Sequence, residues 1–413
     1  MQDQPEHIAV VGAGHAAGQL LVSLRQRNYA GRITLVGDES WYPYQRPPLS
    51  KKFLLGELAV ERLFVKPPSF YDDPGLSVRR GEEVGAIDTG AKALRTSRGD
   101  VVPYDSLVLA TGASPRRLGL PGADLGGIHY LRSIGDVEAI RPGLVPGCRL
   151  TVIGAGYIGL EVAAVARMLG ARVTVVEKLE RVLSRVVSPA VSSFYEVEHR
   201  AQGVEFRLGA DVLGFDGSRR VAAVRTSAGP VEADLVIVGI GVAPNTKLAA
   251  TAGLATDDGI VVDTRCRTTG EAIFAIGDCT NHPNPLLGRR LRLESVHNAL
   301  EQAKTAAANL CGEALEYAQI PWFWSDQYDL KLQIAGISEG YDQTVLRGDP
   351  ASRSFACLYL RQGRLLAVDA INRARDFMQA KPLIAAGAVI DPALLADANS
   401  ALQDLPVISV RDS

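Results

Sequence analysis

The chain carries the same loop twice. VVGAGHAAGQL begins at Val10 and VIGAGYIGLEV at Val152, and each is a glycine-rich turn between a β-branched run and apolar residues at helical spacing. In HIAVVGAG, Gly12 permits a tight turn, Gly14 lets backbone approach a pyrophosphate, and Ala17 before Gly18 keeps the following helix near the strand. Ala16, Ala17, Leu20, Leu21 and Leu24 form the apolar stripe of that helix. The open N–H groups and positive dipole end of such a helix suit phosphate. The next strand, RITLVGDE, delivers Asp38, a carboxylate placed to accept from both hydroxyls of an adenosine ribose.

The second copy repeats the logic. RLTVIGAG enters the turn, Gly154, Gly156 and Gly159 fill all three glycine positions, and Ala155, Ile158, Val162, Val165, Ala166 and Leu169 predict the buried helix face behind Tyr157. ARVTVVEK then presents Glu177. One such turn is a weak sign. Two, each bracketed by strand and helix and each followed by an acid, specify two bound dinucleotides. One resident and one visiting is the arrangement of a flavin enzyme reduced by a nicotinamide, so FAD and NADH are the expected cofactors. Glu177 favours NADH, because a carboxylate bonds a 2′-hydroxyl and repels a 2′-phosphate, while Lys178 and Arg181 lie close enough to oppose that preference.

A chain of 413 residues exceeds a single ordinary core, so two or three domains are expected. A net charge of −2 argues against nucleic acid as an obligate partner. The opening MQDQPEH has no basic n-region, and the longest apolar run, LVIVGIGVA from Leu235, is about half the length of a spanning helix, so a cytoplasmic protein without a membrane partner is expected. The cysteines form no C-x-x-C pair and the histidines show no ligand spacing, so no protein-held metal is expected.

Further motifs narrow the reading: RPPLSK (Arg46 to Lys51), LVLATGA (Leu107 to Ala113), AIGDC (Ala275 to Cys279), ESVHNALEQA (Glu294 to Ala303) and PWFWSDQYD (Pro321 to Asp329). With the two glycine turns, they resemble the FAD-dependent, NADH-linked ferredoxin reductases that serve bacterial monooxygenases and dioxygenases, over nearly the whole chain. The resemblance implies an α/β fold with two Rossmann-like dinucleotide-binding domains and a C-terminal α+β interface domain. Its segments are 1–113 and 245–320 for FAD, 114–244 for NADH and 321–413 for the interface. Breaker-rich loops after Leu109 and at GIGVAPNT from Gly239 suit domain crossings, and FACLYLRQGRLLAVDAI suits a hairpin turning at Gln362 and Gly363.

Carried over residue by residue, the resemblance assigns FAD contacts to Ala16, Asp38, Lys51, Val84, Arg132, Asp278 and Val296, with Thr111, Gly112, Gly241 and Glu294 in the same motifs. It implies that Lys51 lies near flavin N5 or an acidic neighbour, that Glu161 orients the nicotinamide carboxamide, and that Trp324 covers the flavin edge facing the partner, with Trp322 in the core. It also implies that the helix beginning near His297 directs its positive end toward the flavin. The implied partner is a small acidic 2Fe-2S ferredoxin, and the implied state a monomer or weak homodimer. Arg289, Arg290, Arg292, Arg361, Arg364, Arg373 and Arg375 are candidates for a steering face. The rivals are an NADH oxidase, an apoptosis-inducing-factor-like flavoprotein and a disulfide reductase. The last needs a redox cysteine near WYPYQRPPLSKKFLLGEL, which has none.

Overall fold

The computed structural model describes residues 4–409. These form two compact units, one made of the chain up to Arg46, Ala59–Ser114 and Val242–Pro321, the other of Pro47–Leu58, Pro115–Gly241 and the chain from Trp322. The first unit holds a five-stranded parallel sheet in the order 273–275, 106–109, 7–11, 32–37, 76–80. His7–Val11 is buried at every position, as a central strand covered on both faces requires. Helix His15–Gln26 buries Ala16, Ala17, Leu20, Leu21 and Leu24, and packs with Ala299, Ala303, Ala306, Ala307 and Leu310 of helix Val296–Leu310 in one core.

The second unit repeats that sheet in the order 204–207, 172–176, 149–153, 235–238, 128–130, again parallel. It also holds a five-stranded antiparallel sheet, 322–327, 330–336, 364–371, 354–361, 343–349. The hairpin between its long strands turns at Gln362 (φ 51°) and Gly363 (φ 75°), the two positive dihedrals of a type I′ turn. The chain passes from the first unit to the second after Ser114 and returns after Gly241.

Three expectations change. Residues 47–58 pack with the second unit, although they fall within the first FAD segment expected from the sequence. Ile158 is 41% exposed, because the face of helix Tyr157–Met168 that is buried runs through Leu160, Val162, Val165 and Ala166. Leu169 caps that helix half-buried. Among the described residues no helix is long and apolar enough to cross a membrane.

Candidate functional site

The two glycine turns are built alike, bond for bond. The Gly12 N–H donates to Val36 O at 2.8 Å and the Gly154 N–H to Val176 O at 2.8 Å. Both glycines have φ +99°, and a Cβ on either would strike a neighbouring carbonyl, Ala110 O at 2.3 Å or Gly239 O at 2.4 Å. These two positions accept only glycine. Gly14 and Gly156 differ: each is the N-cap of its helix in extended backbone, with no side-chain cap, and nothing lies within 4 Å of a Cβ built there. The open space lies where a helix N-terminus leaves its first amides unsatisfied, which fits a pyrophosphate in each unit. Only the second helix needs glycine at the third position, since a Cβ on Gly159 would lie 2.1 Å from Gly154 O, whereas Ala17 is accommodated and buried.

In the first unit, the turn after strand Ile273–Ala275 comes up against the first glycine-turn helix: a Cβ on Gly277 would lie 3.1 Å from the Ala16 Cβ. Gln302, fully buried on helix Val296–Leu310, pins this turn by accepting from the Gly277 N–H at 2.7 Å and the Thr280 hydroxyl at 3.0 Å. Asp278 is near enough to raise the pKa of His15. Burial and the Arg46 guanidinium outweigh it and push His15 down to about 4, so this ring stays neutral beside the turn at physiological pH. Arg46 donates to Glu39 at 2.7 Å and to the Tyr44 hydroxyl at 2.9 Å. Asp38 stands exposed just beyond strand Arg32–Gly37, and Val84 is buried at the start of strand Val84–Asp88. Thr111 and Gly112 hold the crossing loop to Asn245: Thr111 Oγ1 donates to Asn245 O at 2.7 Å, and Gly112 O accepts from Asn245 N at 2.9 Å. Ser295 caps helix Val296–Leu310 through Asn298 N, leaving Val296 at its first position and Glu294 exposed before it.

In the second unit, Glu177 is tied into the glycine turn. Its Oε2 accepts from the Ala155 N–H at 2.7 Å and its Oε1 from the Leu179 N–H at 2.9 Å. Lys178 is drawn to Asp211 at 3.0 Å. Tyr157, the first helical residue, packs its ring 4.7 Å from that of Phe323. Gly241 (φ +97°) is open around its Cα, and Arg132 leads into a capping box in which Asp136 accepts from the Arg132 and Ser133 amides. Lys51 and Arg132 belong to the second unit, and Ala16, Asp38, Val84, Asp278 and Val296 to the first.

Lys51 meets Glu161. Its Nζ lies 2.7 Å from Glu161 Oε2, which also accepts from the Ser50 hydroxyl at 2.5 Å, and Glu161 Oε1 accepts from Ser325 at 2.6 Å. Glu161 is 3% exposed, so this carboxylate is desolvated and compensated by three donors. Trp322 and Trp324 sit on the other face of strand Trp322–Gln327, their ring centroids 5.5 Å apart. Both are half-buried; Trp322, expected in the core, packs on Phe377 with Lys381 over its ring.

Sequence reasoning missed Gln302, Ser50 and Ser325. The signal for Gln302 is a polar residue on an alanine-lined helix face. For Ser325 it is period-two alternation, with Phe323, Ser325 and Gln327 opposite Trp322, Trp324 and Asp326. Several of the candidate steering arginines are already engaged. Arg290 donates to Val262 O and Asn281 O, Arg292 pairs with Asp258 and Glu294, Arg364 donates to Gly387 O, and Arg373 bonds Asp376. Arg289, Arg361 and Arg375 are exposed.

Comparison with known proteins agrees with this architecture. Residues 6–303 match the pyridine nucleotide-disulphide oxidoreductase family and residues 322–406 the reductase C-terminal family. The ferredoxin reductase subunit of the 5,5′-dehydrodivanillate O-demethylase of Sphingobium is 43% identical over 96% of this chain and 97% of its own. The ferredoxin–NAD(+) reductase component of the anthranilate 1,2-dioxygenase system of Burkholderia cepacia is 45% identical over 94% and 96%. In the covalent putidaredoxin reductase–putidaredoxin complex, the matching chain superposes with a TM-score of 0.94 at 42% identity, covering 97% of this chain and 98% of that one.

Proposed function

We propose, from the premise that this chain belongs to the pyridine nucleotide-disulphide oxidoreductase family and within it to the ferredoxin reductases of oxygenase systems, that its acceptor is a 2Fe-2S ferredoxin. The protein is an NADH-dependent flavoprotein oxidoreductase that passes electrons through FAD to a ferredoxin supplying a monooxygenase or dioxygenase. The observation that carries this reading is the duplicated turn, with Gly14 and Gly156 each open at an uncapped helix N-terminus. The chemistry supplied by bound FAD is acceptance of a hydride as an electron pair and release of single electrons.

Gly14 and the amides of helix His15–Gln26 would hold the FAD pyrophosphate, with Asp38 at the ribose and Val84 at the adenine. Gly156 and Glu177 would hold NADH, and the engagement of Lys178 with Asp211 favours NADH over NADPH. Lys51 and Glu161 would orient the nicotinamide, and Trp324 would face the ferredoxin. NADH as donor suits the cytoplasm, and the chain would work as a monomer or weak homodimer.

Disulfide reduction is disfavoured by the thiols themselves. Cys279 is fully buried, its Sγ directed at Ile276 O at 3.3 Å, and burial raises its pKa, which opposes the thiolate that such chemistry needs. The test is anaerobic titration of the flavin-loaded protein with NADH and then NADPH, followed by 2Fe-2S ferredoxins, a rubredoxin and a small disulfide as acceptors. Rapid bleaching by NADH and turnover with a 2Fe-2S ferredoxin are expected. Turnover with the disulfide alone would overturn the reading.

A further inference from the structure

Behind Glu161 runs a chain of hydrogen bonds that joins the PWFWSDQYD motif, through Ser325, Gln327 and Tyr328, to His199, and no role has yet been assigned to any of these four side chains. Ser325 Oγ bonds Glu161 Oε1 at 2.6 Å and Gln327 Nε2 bonds Ser325 Oγ at 3.1 Å. Gln327 Oε1 lies 2.8 Å from His199 Nε2, and His199 Nδ1 lies 3.4 Å from the Tyr328 hydroxyl. Ser325, Gln327 and His199 are all fully buried. The members come from strand Trp322–Gln327, the turn after it, and helix Pro189–Ala201, all within the second unit.

The sense of donation is fixed from the carboxylate backwards. A carboxylate paired with an ammonium only accepts, so the Ser325 O–H must donate to it. The Ser325 oxygen then accepts from the Gln327 amide nitrogen, which leaves the Gln327 carbonyl facing His199. His199 therefore carries its proton on Nε2 and accepts at Nδ1 from the Tyr328 O–H. Burial pushes His199 down to about 4 and raises the Tyr328 phenol, so both stay neutral at working pH. Every dipole in the chain points at Glu161, and aligned hydrogen bonds in a low-dielectric interior polarise one another.

We propose that Ser325, oriented by Gln327 and His199, is a positioning residue that fixes the Glu161 carboxylate and through it holds the Lys51 ammonium. Ser50 and Lys51 both occupy Oε2, so Ser325 is the group that sets the rotation of the carboxylate from its other oxygen. The consequence for hydride transfer rests on the reading of Lys51 and Glu161 as the groups that orient the nicotinamide.

The test compares Ser325→Ala and Ser325→Thr in the flavin-loaded protein, with Ser325→Cys as a near-isosteric weak donor should the alanine variant not fold. Acetylation of Lys51 by acetic anhydride, quantified by peptide mass spectrometry, reports the ion pair without turnover. Stopped-flow reduction by NADH reports the chemistry. In Ser325→Ala, Lys51 labelling is expected to rise about fivefold and flavin reduction to slow about tenfold at an unchanged NAD+ dissociation constant, the scale of one lost bond to a charged group. Ser325→Thr restores both. Unchanged labelling in Ser325→Ala overturns the positioning role. Increased labelling with unchanged flavin reduction supports the positioning role while overturning the assignment of the pair to the hydride step.

Discussion

Glu177 and Ala155 are joined by a 2.7 Å hydrogen bond from the Ala155 amide to Glu177 Oε2, so the acid ending one strand is locked onto the glycine turn ending its neighbour. A second amide, from Leu179, holds the other oxygen. Both oxygens of the carboxylate are thus held by backbone amides. Replacement by serine is expected to lower kcat/KM with NADH about tenfold and to raise it with NADPH, since it removes a charged acceptor for the 2′-hydroxyl and a repulsion toward a 2′-phosphate. Parallel steady-state kinetics with both donors check this, and an unchanged ratio removes Glu177 as selector.

The glycines of one turn separate fold from function. Gly156→Val, in open space and extended backbone, is expected to leave the melting temperature and bound FAD unchanged while weakening NAD+ at least about tenfold by blocking close backbone approach. Gly154→Ala, with φ +99° and a carbonyl 2.4 Å from the new methyl, is expected to destabilise by roughly 3 kcal/mol. Thermal melts and NAD+ titration distinguish the two.

Asp369 is buried in the C-terminal sheet with the Tyr359 hydroxyl as donor, and burial pushes its carboxyl up to about 7 from 3.8, against the effect of that bond. Between those values the folded protein holds a proton that the unfolded chain has released. Stability contributed at this position is therefore whole below about pH 4, falls as pH rises, and levels off above about 7. Asp369→Asn, which cannot ionise, should gain on the parent across that window by on the order of 3 kcal/mol. Urea unfolding of both proteins at pH 5 and pH 8 measures it, and the same difference at both pH values would exclude the linkage.

Gln302→Leu is expected to loosen FAD. The substitution leaves the Gly277 N–H without its 2.7 Å acceptor beside Ala16, a loss of about 1–3 kcal/mol for a buried amide. Flavin released on dilution, followed by fluorescence, should increase, while the NAD+ dissociation constant of the remaining yellow protein stays the same.

Arg375 and Arg290 offer a contrast in charge reversal. Arg375→Glu, at an exposed site on helix Ala374–Ala386, should raise the apparent ferredoxin constant about fivefold and flatten its salt dependence. Arg290→Glu should instead reduce soluble yield, because its guanidinium donates to the Val262 and Asn281 carbonyls.

Local periodicity made much of this legible. Gly12 and Gly154 announce the turns because only glycine tolerates their dihedral, and the Gln362–Gly363 hairpin is written in its turn residues. The strands on either side read as buried runs for the same reason that parallel sheets hide both faces. What stayed hidden depends on contacts between distant stretches. Ser325 becomes a partner of Glu161 only when the last sheet packs on helix Tyr157–Met168, and nothing near Arg290 reveals that its charge is spent on backbone carbonyls. Residues 47–58 read as part of the first segment because they follow it without a break, yet Ser50 and Lys51 find their partner more than a hundred positions later.

The edge strand Ile273–Ala275 and helix Val296–Leu310 complete the first sheet and its core, yet they are encoded after the whole inserted stretch 115–241. During synthesis, a ribosome delivers the inner parallel sheet in full before the outer one can close. Ile8, Val10, Ile33, Leu35 and Val108 are made early enough to cover part of Leu20, Leu21 and Leu24, but the share that falls to helix Val296–Leu310 stays open until residue 310 has emerged, so a translational pause within the insertion would lengthen the interval in which the nascent chain is open to chaperones and to aggregation.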